Sequence, residues 1–121
     1  MALLQALIID AHAPTRSYVR SILSRNAFDC FTEASEVSAL RRFQAFDLDL
    51  VVAASDVLMS SLIWDHLIVG GAPLIVYRRD AKGPDTPRRM ARYANAVEIA
   101  APFDDKVLLT AVERAFGESV A

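Results

Sequence analysis

Hydrophobic residues along the chain form five short runs that are rich in branched side chains and show little polar alternation. A strand that is covered on both faces has this pattern, because neither side of its sheet meets water. The runs are spaced roughly evenly, and the second is the weakest. The sequence predicts strands at Leu4–Ile9, Cys30–Glu33, Asp49–Ala53, Pro73–Tyr77 and Ala96–Ala100.

The segments between these runs repeat their apolar residues with helical spacing. Pro14 suits the first turn of one predicted helix, Pro14–Arg25, and Gly117 suits the end of another, Asp104–Phe116. Strands that alternate with helices predict an α/β fold, a five-stranded parallel sheet with helices on both faces. In such a sheet the functional crevice lies beyond the carboxyl ends of the strands. Further helices are predicted at Val37–Phe46, Val57–Val69 and Pro87–Ala94.

Length and composition narrow the class of protein. A chain of 121 residues with 54% hydrophobic residues is expected to form one domain, residues 1–121, and not a disordered segment. A single cysteine cannot form an internal disulfide, which favours the reducing cytoplasm. The net charge of −2 gives no general attraction to DNA, and the longest nearly apolar run, Leu67–Tyr77, is too short to span a bilayer. We therefore expect no binding to DNA or membranes.

Four stretches resemble the receiver domains of two-component response regulators, the CheY-like proteins. Ala6–Arg16 resembles their first strand and helix start, and Asp47–Ser55 resembles their third strand. Pro73–Tyr77 resembles the fourth strand, and Ala101–Asp104 the turn before the last helix. The resemblance covers nearly the whole chain in order and spacing, and it implies the CheY-like, or flavodoxin-like, fold. Receiver domains accept a phosphoryl group on an aspartate with the help of Mg²⁺, which requires several carboxylates at the strand ends.

Compared position by position, most of that equipment is missing. The acidic pair after the first strand is Asp10-Ala11, and the phosphoacceptor position is Ala54. The hydroxyl position is Arg78, and the position of the lysine is Ala101. An alanine carries no nucleophile, so the resemblance implies a degenerate receiver with no catalytic residue, no metal and no cofactor.

Neighbouring residues do not replace the lost groups. Asp56, two positions beyond Ala54, makes a poor Mg²⁺ site with Asp10 alone, and Ser55 has no evident base or nucleophile elbow around it. Arg78 or Arg79 is expected to pair with Asp10 in place of the metal.

Charge is concentrated in one segment, Arg78–Arg92, which carries six cations and two aspartates. Its balance of +4 leaves −6 on the remaining chain. Arginine grips phosphate or carboxylate with two parallel hydrogen bonds. Three interpretations stay open: a solvated face, a surface for an acidic protein partner, and a site for a cyclic dinucleotide such as cyclic di-GMP, which some receiver-like proteins bind through this region. The candidate binding residues are Arg78, Arg79, Arg88, Arg89 and Arg92.

The sequence favours structural roles for the remaining candidate residues. His12 and His66 lack partners at metal-ligand spacing, while Cys30 and Trp64 are expected in the core. The favoured function is a phosphorylation-independent signalling module that is not an enzyme. It would bind a signalling protein such as a kinase or regulator, or a second copy of itself. In the family, the fourth helix, fifth strand and fifth helix commonly form the contact surface.

Overall fold

The computed structural model describes residues 3–45, 47–58, 61–78 and 96–117. Five strands and four α-helices alternate along this part of the chain, and the helix predicted at Pro87–Ala94 lies outside it. The strands are β1 (Leu4–Ile9), β2 (Phe28–Glu33), β3 (Leu50–Ala54), β4 (Leu74–Arg78) and β5 (Ala96–Ala100). The helices are α1 (Ala13–Ser24), α2 (Glu36–Ala45), α3 (Ser61–Gly70) and α4 (Asp105–Ala115).

All strand pairings are parallel, and the strand order is β2-β1-β3-β4-β5. In the register of the central strands, Ile9 is opposite Ala53, and Ala54 is opposite Tyr77. The predicted parallel α/β fold is therefore confirmed. The order also places β3 between β1 and β4, which decides how the carboxyl ends of these three strands meet.

The central strands are buried on both faces. Four consecutive residues of β1, Ala6 to Ile9, are fully buried, as are Leu50 to Ala53 of β3. Successive side chains of a strand point to opposite faces, so the helices must cover both sides of the sheet. The contacts agree, because α2 packs against α3, while α1 lies on β1 and β2 and α4 on β4 and β5. The central strands are buried on both faces because their sequences are unbroken apolar runs.

The helix ends follow local signals. His12 caps α1 through Nδ1, which accepts a hydrogen bond from the Thr15 N–H at 3.4 Å, and the Asp104 carboxylate caps α4 at 2.9 Å. Gly117, with φ at +87°, follows α4 as predicted. The helix predicted from Val57 begins only at Ser61, because Ser55–Val57 forms a 3₁₀ turn after β3. Among the described residues, the helices are all too short or too polar to cross a bilayer.

Candidate functional site

The positions singled out by the resemblance lie along the carboxyl edge of the sheet. Asp10 and Ala11 directly follow β1, and Ala54 is the last residue of β3. Arg78 ends β4, and the N–H of Ala101, just after β5, donates a hydrogen bond to the Arg78 carbonyl oxygen at 2.7 Å. Since all the strands are parallel, these ends meet at one edge, where the sequence predicts the crevice.

The side chain of Asp10 is fully buried at this edge. Its Oδ2 accepts a hydrogen bond from the Tyr77 hydroxyl, and its Oδ1 accepts one from the His12 backbone N–H at 2.8 Å. A buried carboxylate is costly unless donors replace its lost water. Protein groups thus satisfy both oxygens of Asp10, which acts here as a hydrogen-bond acceptor within the fold.

The backbone of Asp10 is also held from two sides. Its N–H donates to the Glu33 carbonyl oxygen at 3.0 Å, which ties it to the end of β2. Its carbonyl oxygen accepts a hydrogen bond from Nη1 of Arg16, on α1, at 2.6 Å. These contacts fix the position from which the carboxylate points toward Tyr77.

Tyr77 is the residue of this site that sequence reasoning missed. It lies on β4 and is fully buried, yet its hydroxyl reaches Asp10 after β1, two strands away. The end of β3 lies between them, and the residue there is Ala54, whose side chain ends at Cβ. Neighbouring strands are about 4.8 Å apart, so only a long side chain crosses that gap. The small residue at position 54 leaves the path of the tyrosine clear.

Aromatic side chains close the site on the side of α1 and the loop after β5. The ring of Phe103 meets Tyr77 edge to face, with 5.5 Å between the ring centroids, and lies 6.1 Å from the ring of Tyr18. The Tyr18 hydroxyl donates to the Phe103 carbonyl oxygen at 3.1 Å. A cavity of about 410 Å³ opens beside them, lined by Pro14, Thr15, Tyr18, Ala101, Pro102 and Phe103.

Comparison with known proteins identifies the fold. No protein-family model matches the sequence, and no curated protein matches it either. Solved structures do match. The chemotaxis response regulator CheY4 of Vibrio cholerae superposes with a TM-score of 0.74 at 15% identity, covering 93% of this chain and 98% of that one. A response regulator receiver domain protein from Clostridium thermocellum gives 0.78 at 18% identity, covering 98% of each chain. A CheY-like receiver domain protein from Methanospirillum hungatei gives 0.78 at 16%, covering 98% and 97%. The chain has the receiver fold.

The side chains at the carboxyl edge of this receiver fold do not suit Mg²⁺. The hard cation requires several oxygen ligands. Both oxygens of Asp10 accept hydrogen bonds from the protein, and Ala11 and Ala54 offer no side-chain oxygen. Across the described residues, no three His, Cys, Asp or Glu side chains are grouped to hold a metal ion. Asp56 lies exposed in the 3₁₀ turn beyond β3.

Arg78 lies near a carboxylate of the neighbouring strand. Its Nη1 lies 4.0 Å from Oε1 of Glu98 on β5, and its side chain is 25% exposed. Asp10 accepts a hydrogen bond from Tyr77, one position before Arg78 in the same strand, and the pairing of Asp10 with Arg78 or Arg79 stays a prediction. The other candidate binding residues, Arg79, Arg88, Arg89 and Arg92, lie outside the described residues.

The remaining candidates have structural surroundings. Trp64 is fully buried and donates from Nε1 to the Leu58 carbonyl oxygen at 2.7 Å, which confirms its place in the core. The ring of His66 lies 6.2 Å from that of Phe43. Cys30 is half-buried, and burial raises the pKa of its thiol, although a hydrogen bond from the Ser24 hydroxyl at 3.6 Å opposes the rise.

Proposed function

We propose that this chain is a receiver-like signalling module of the cytoplasm that acts by binding another protein, without aspartyl phosphorylation and without enzymatic activity. The observation that carries the proposal is the filled site. Asp10 is buried with both carboxylate oxygens bonded to protein donors, and the neighbouring phosphoacceptor position, Ala54, is 1% exposed and has no nucleophile. We infer that signalling by this chain does not use a phosphoryl group at this site. It depends instead on contacts that the protein surface makes with a partner.

Phosphodonor treatment tests the first half of this proposal. The intact protein is incubated with acetyl phosphate and Mg²⁺, and its mass is measured before and after. We expect no gain of a phosphoryl group. A gain that maps to Asp10 or Asp56 would overturn the proposal, and a phosphorylatable receiver domain treated in parallel shows that the donor is active.

The face formed by β5 and α4 supports the second half. A groove of about 310 Å³ runs along it, lined by Ile99, Lys106, Val107, Thr110, Ala111 and Arg114. Val107 is 43% exposed, and Lys106 and Arg114 place two cations beside it. An apolar centre with cationic flanks suits a partner that presents apolar and acidic side chains together. A kinase, a regulator or a second copy of the chain could supply them.

Charge reversal on this face separates specific binding from general attraction. Partners are captured from native lysate with the wild-type chain and with Lys106→Glu/Arg114→Glu. The control is Arg20→Glu/Arg25→Glu, which makes the same change of charge on α1 and at its C-cap. We expect the first pair alone to lose the partner. Equal capture by all three proteins would exclude this face.

A cyclic dinucleotide is the second candidate, and the balance of +4 over Arg78–Arg92 favours it. Binding would raise the melting temperature, since a ligand that binds only the folded state stabilises it. A shift with cyclic di-GMP that is lost on replacement of Arg88, Arg89 and Arg92 by Ala would rank this function first.

A further inference from the structure

The end of the molecule that carries the start of β4 has a second surface feature, which is independent of the proposed function. A cavity of about 400 Å³ opens between α2, α3 and the segments that enter β3 and β4. Its apolar lining includes Phe43, Leu48 and Leu67, and Val69 stands at its rim with 87% of its surface exposed. We call it the α2–α3 groove.

The rim of the α2–α3 groove is acidic. Asp47 and Asp65 are both exposed and line it from opposite elements, the connection before β3 and helix α3. Among the described contacts, neither carboxylate forms an ion pair. The described residues of the lining include neither lysine nor arginine. Both carboxylates thus remain accessible to a cation from outside the chain.

Two further features add negative potential at the same place. Helix α3 ends at Gly70 on the rim, and its last turn has no basic residue to balance the partial negative charge of its carbonyl groups. Asp49, which directly precedes β3, is a third aspartate at this end of the sheet, and its Oδ2 accepts a hydrogen bond from the Gln5 N–H at 2.7 Å. The negative potential of the groove therefore comes from the end of α3 and from a neighbouring aspartate, as well as from Asp47 and Asp65.

We propose that the α2–α3 groove binds a segment of a partner protein in which apolar side chains are flanked by lysine or arginine. The apolar lining favours the burial of such side chains, and the acidic rim pairs with their cationic neighbours. A bare metal ion would leave the apolar lining unused. This surface lies on α2 and α3, so it can fail its test while the β5–α4 face passes.

The test adds synthetic peptides to the isotope-labelled chain. Binding is measured from the changes in the chemical shifts of the backbone amides. The first probe is an octapeptide in which pairs of lysines alternate with pairs of leucines. The second has serine in place of leucine, and the third has glutamate in place of lysine. We expect the lysine–leucine peptide to shift groove amides and to bind at least tenfold more tightly than either other peptide. Binding should weaken with salt, because exposed charges are screened. Equal binding of the glutamate peptide, or shifts confined to another face, would overturn the proposal.

Matched variants place the binding on the groove. Asp47→Asn/Asp65→Asn should weaken the lysine–leucine peptide several-fold, whereas Asp29→Asn/Glu113→Gln, which removes two exposed charges elsewhere, should not. Val69→Lys should also weaken it, while Val37→Lys on α2, at a valine that is 69% exposed, should not. Equal losses within either pair would mean a general charge effect and would contradict the proposal. Self-association of the chain that the peptide abolishes would assign the groove to a second copy and overturn the partner proposed here.

Discussion

The hydroxyl of Tyr77 donates a hydrogen bond to Oδ2 of Asp10, and both side chains are fully buried. The bond joins β4 to the residue after β1 across the end of β3, so it closes the carboxyl edge from within. The tyrosine thus satisfies one oxygen of a buried carboxylate, while the other oxygen accepts a hydrogen bond from the His12 N–H at 2.8 Å.

Removal of the Tyr77 hydroxyl tests how much this contact contributes. Tyr77→Phe keeps the ring against Phe103 but deprives Oδ2 of Asp10 of this donor, and the loss of one partner of a buried polar group costs about 1–3 kcal/mol. We expect the free energy of unfolding, from urea titration, to fall by that amount. Tyr18→Phe is the control, because its hydroxyl bonds to the Phe103 carbonyl oxygen at an exposed place. Equal losses in the two variants would mean that the hydrogen bond from Tyr77 to Asp10 contributes no special stability.

Ala54, the last residue of β3, gives a second prediction. Ala54→Asp would place a carboxylate in a buried site next to Asp10 and on the path of the Tyr77 side chain. Two carboxylates that share a site repel each other, and an uncompensated buried charge costs roughly 3 kcal/mol or more. We expect a lower melting temperature than in Ala54→Asn, and no phosphorylation by acetyl phosphate. A rise in the melting temperature of Ala54→Asp with millimolar Mg²⁺ would contradict this prediction and show that the site binds a metal.

The helix caps allow a comparative prediction. His12 caps α1 with a ring nitrogen at 3.4 Å, whereas Asp104 caps α4 with a carboxylate at 2.9 Å. Replacement of a capping side chain by alanine costs about 1 kcal/mol. Negative charge at a helix N-terminus adds to the effect. Asp104→Ala should therefore destabilise more than His12→Ala in urea unfolding, and the reverse order would contradict this assignment of caps.

The fold was predictable because its signals are local and repeated. Buried strands made the apolar runs continuous, and the predicted β1 and β5 match the structure residue for residue. β2 begins at Phe28, two residues before its prediction, because Phe28 is buried against the core while the residues after it are polar in part. The meeting of Asp10 and Ala54 at one edge followed from the parallel order alone.

The contact of Tyr77 with Asp10 was not predictable in the same way. A tyrosine in a buried strand favours a core role, and the available signal was that its hydroxyl needs a partner there. Which partner it finds depends on the register that sets Ala54 opposite Tyr77 and on the strand order β1-β3-β4. The α2–α3 groove also depends on how two helices pack, because Asp47 and Asp65 are eighteen positions apart in the sequence.

The thiol of Cys30 gives the last prediction. Only the thiolate reacts with disulfide reagents, and burial raises the pKa of Cys30, so its reaction at neutral pH should be several-fold slower than in the urea-unfolded chain. The hydrogen bond from Ser24 lowers the pKa, so Ser24→Ala should raise it further and slow the reaction of the folded protein again. The rate should increase with pH up to the raised pKa in both proteins. Release of the coloured thiolate from 5,5′-dithiobis(2-nitrobenzoate) follows the reaction, and Ser17→Ala at an exposed position of α1 serves as control. A faster reaction in Ser24→Ala than in the control would mean that access to the sulfur, and not its proton affinity, limits the rate.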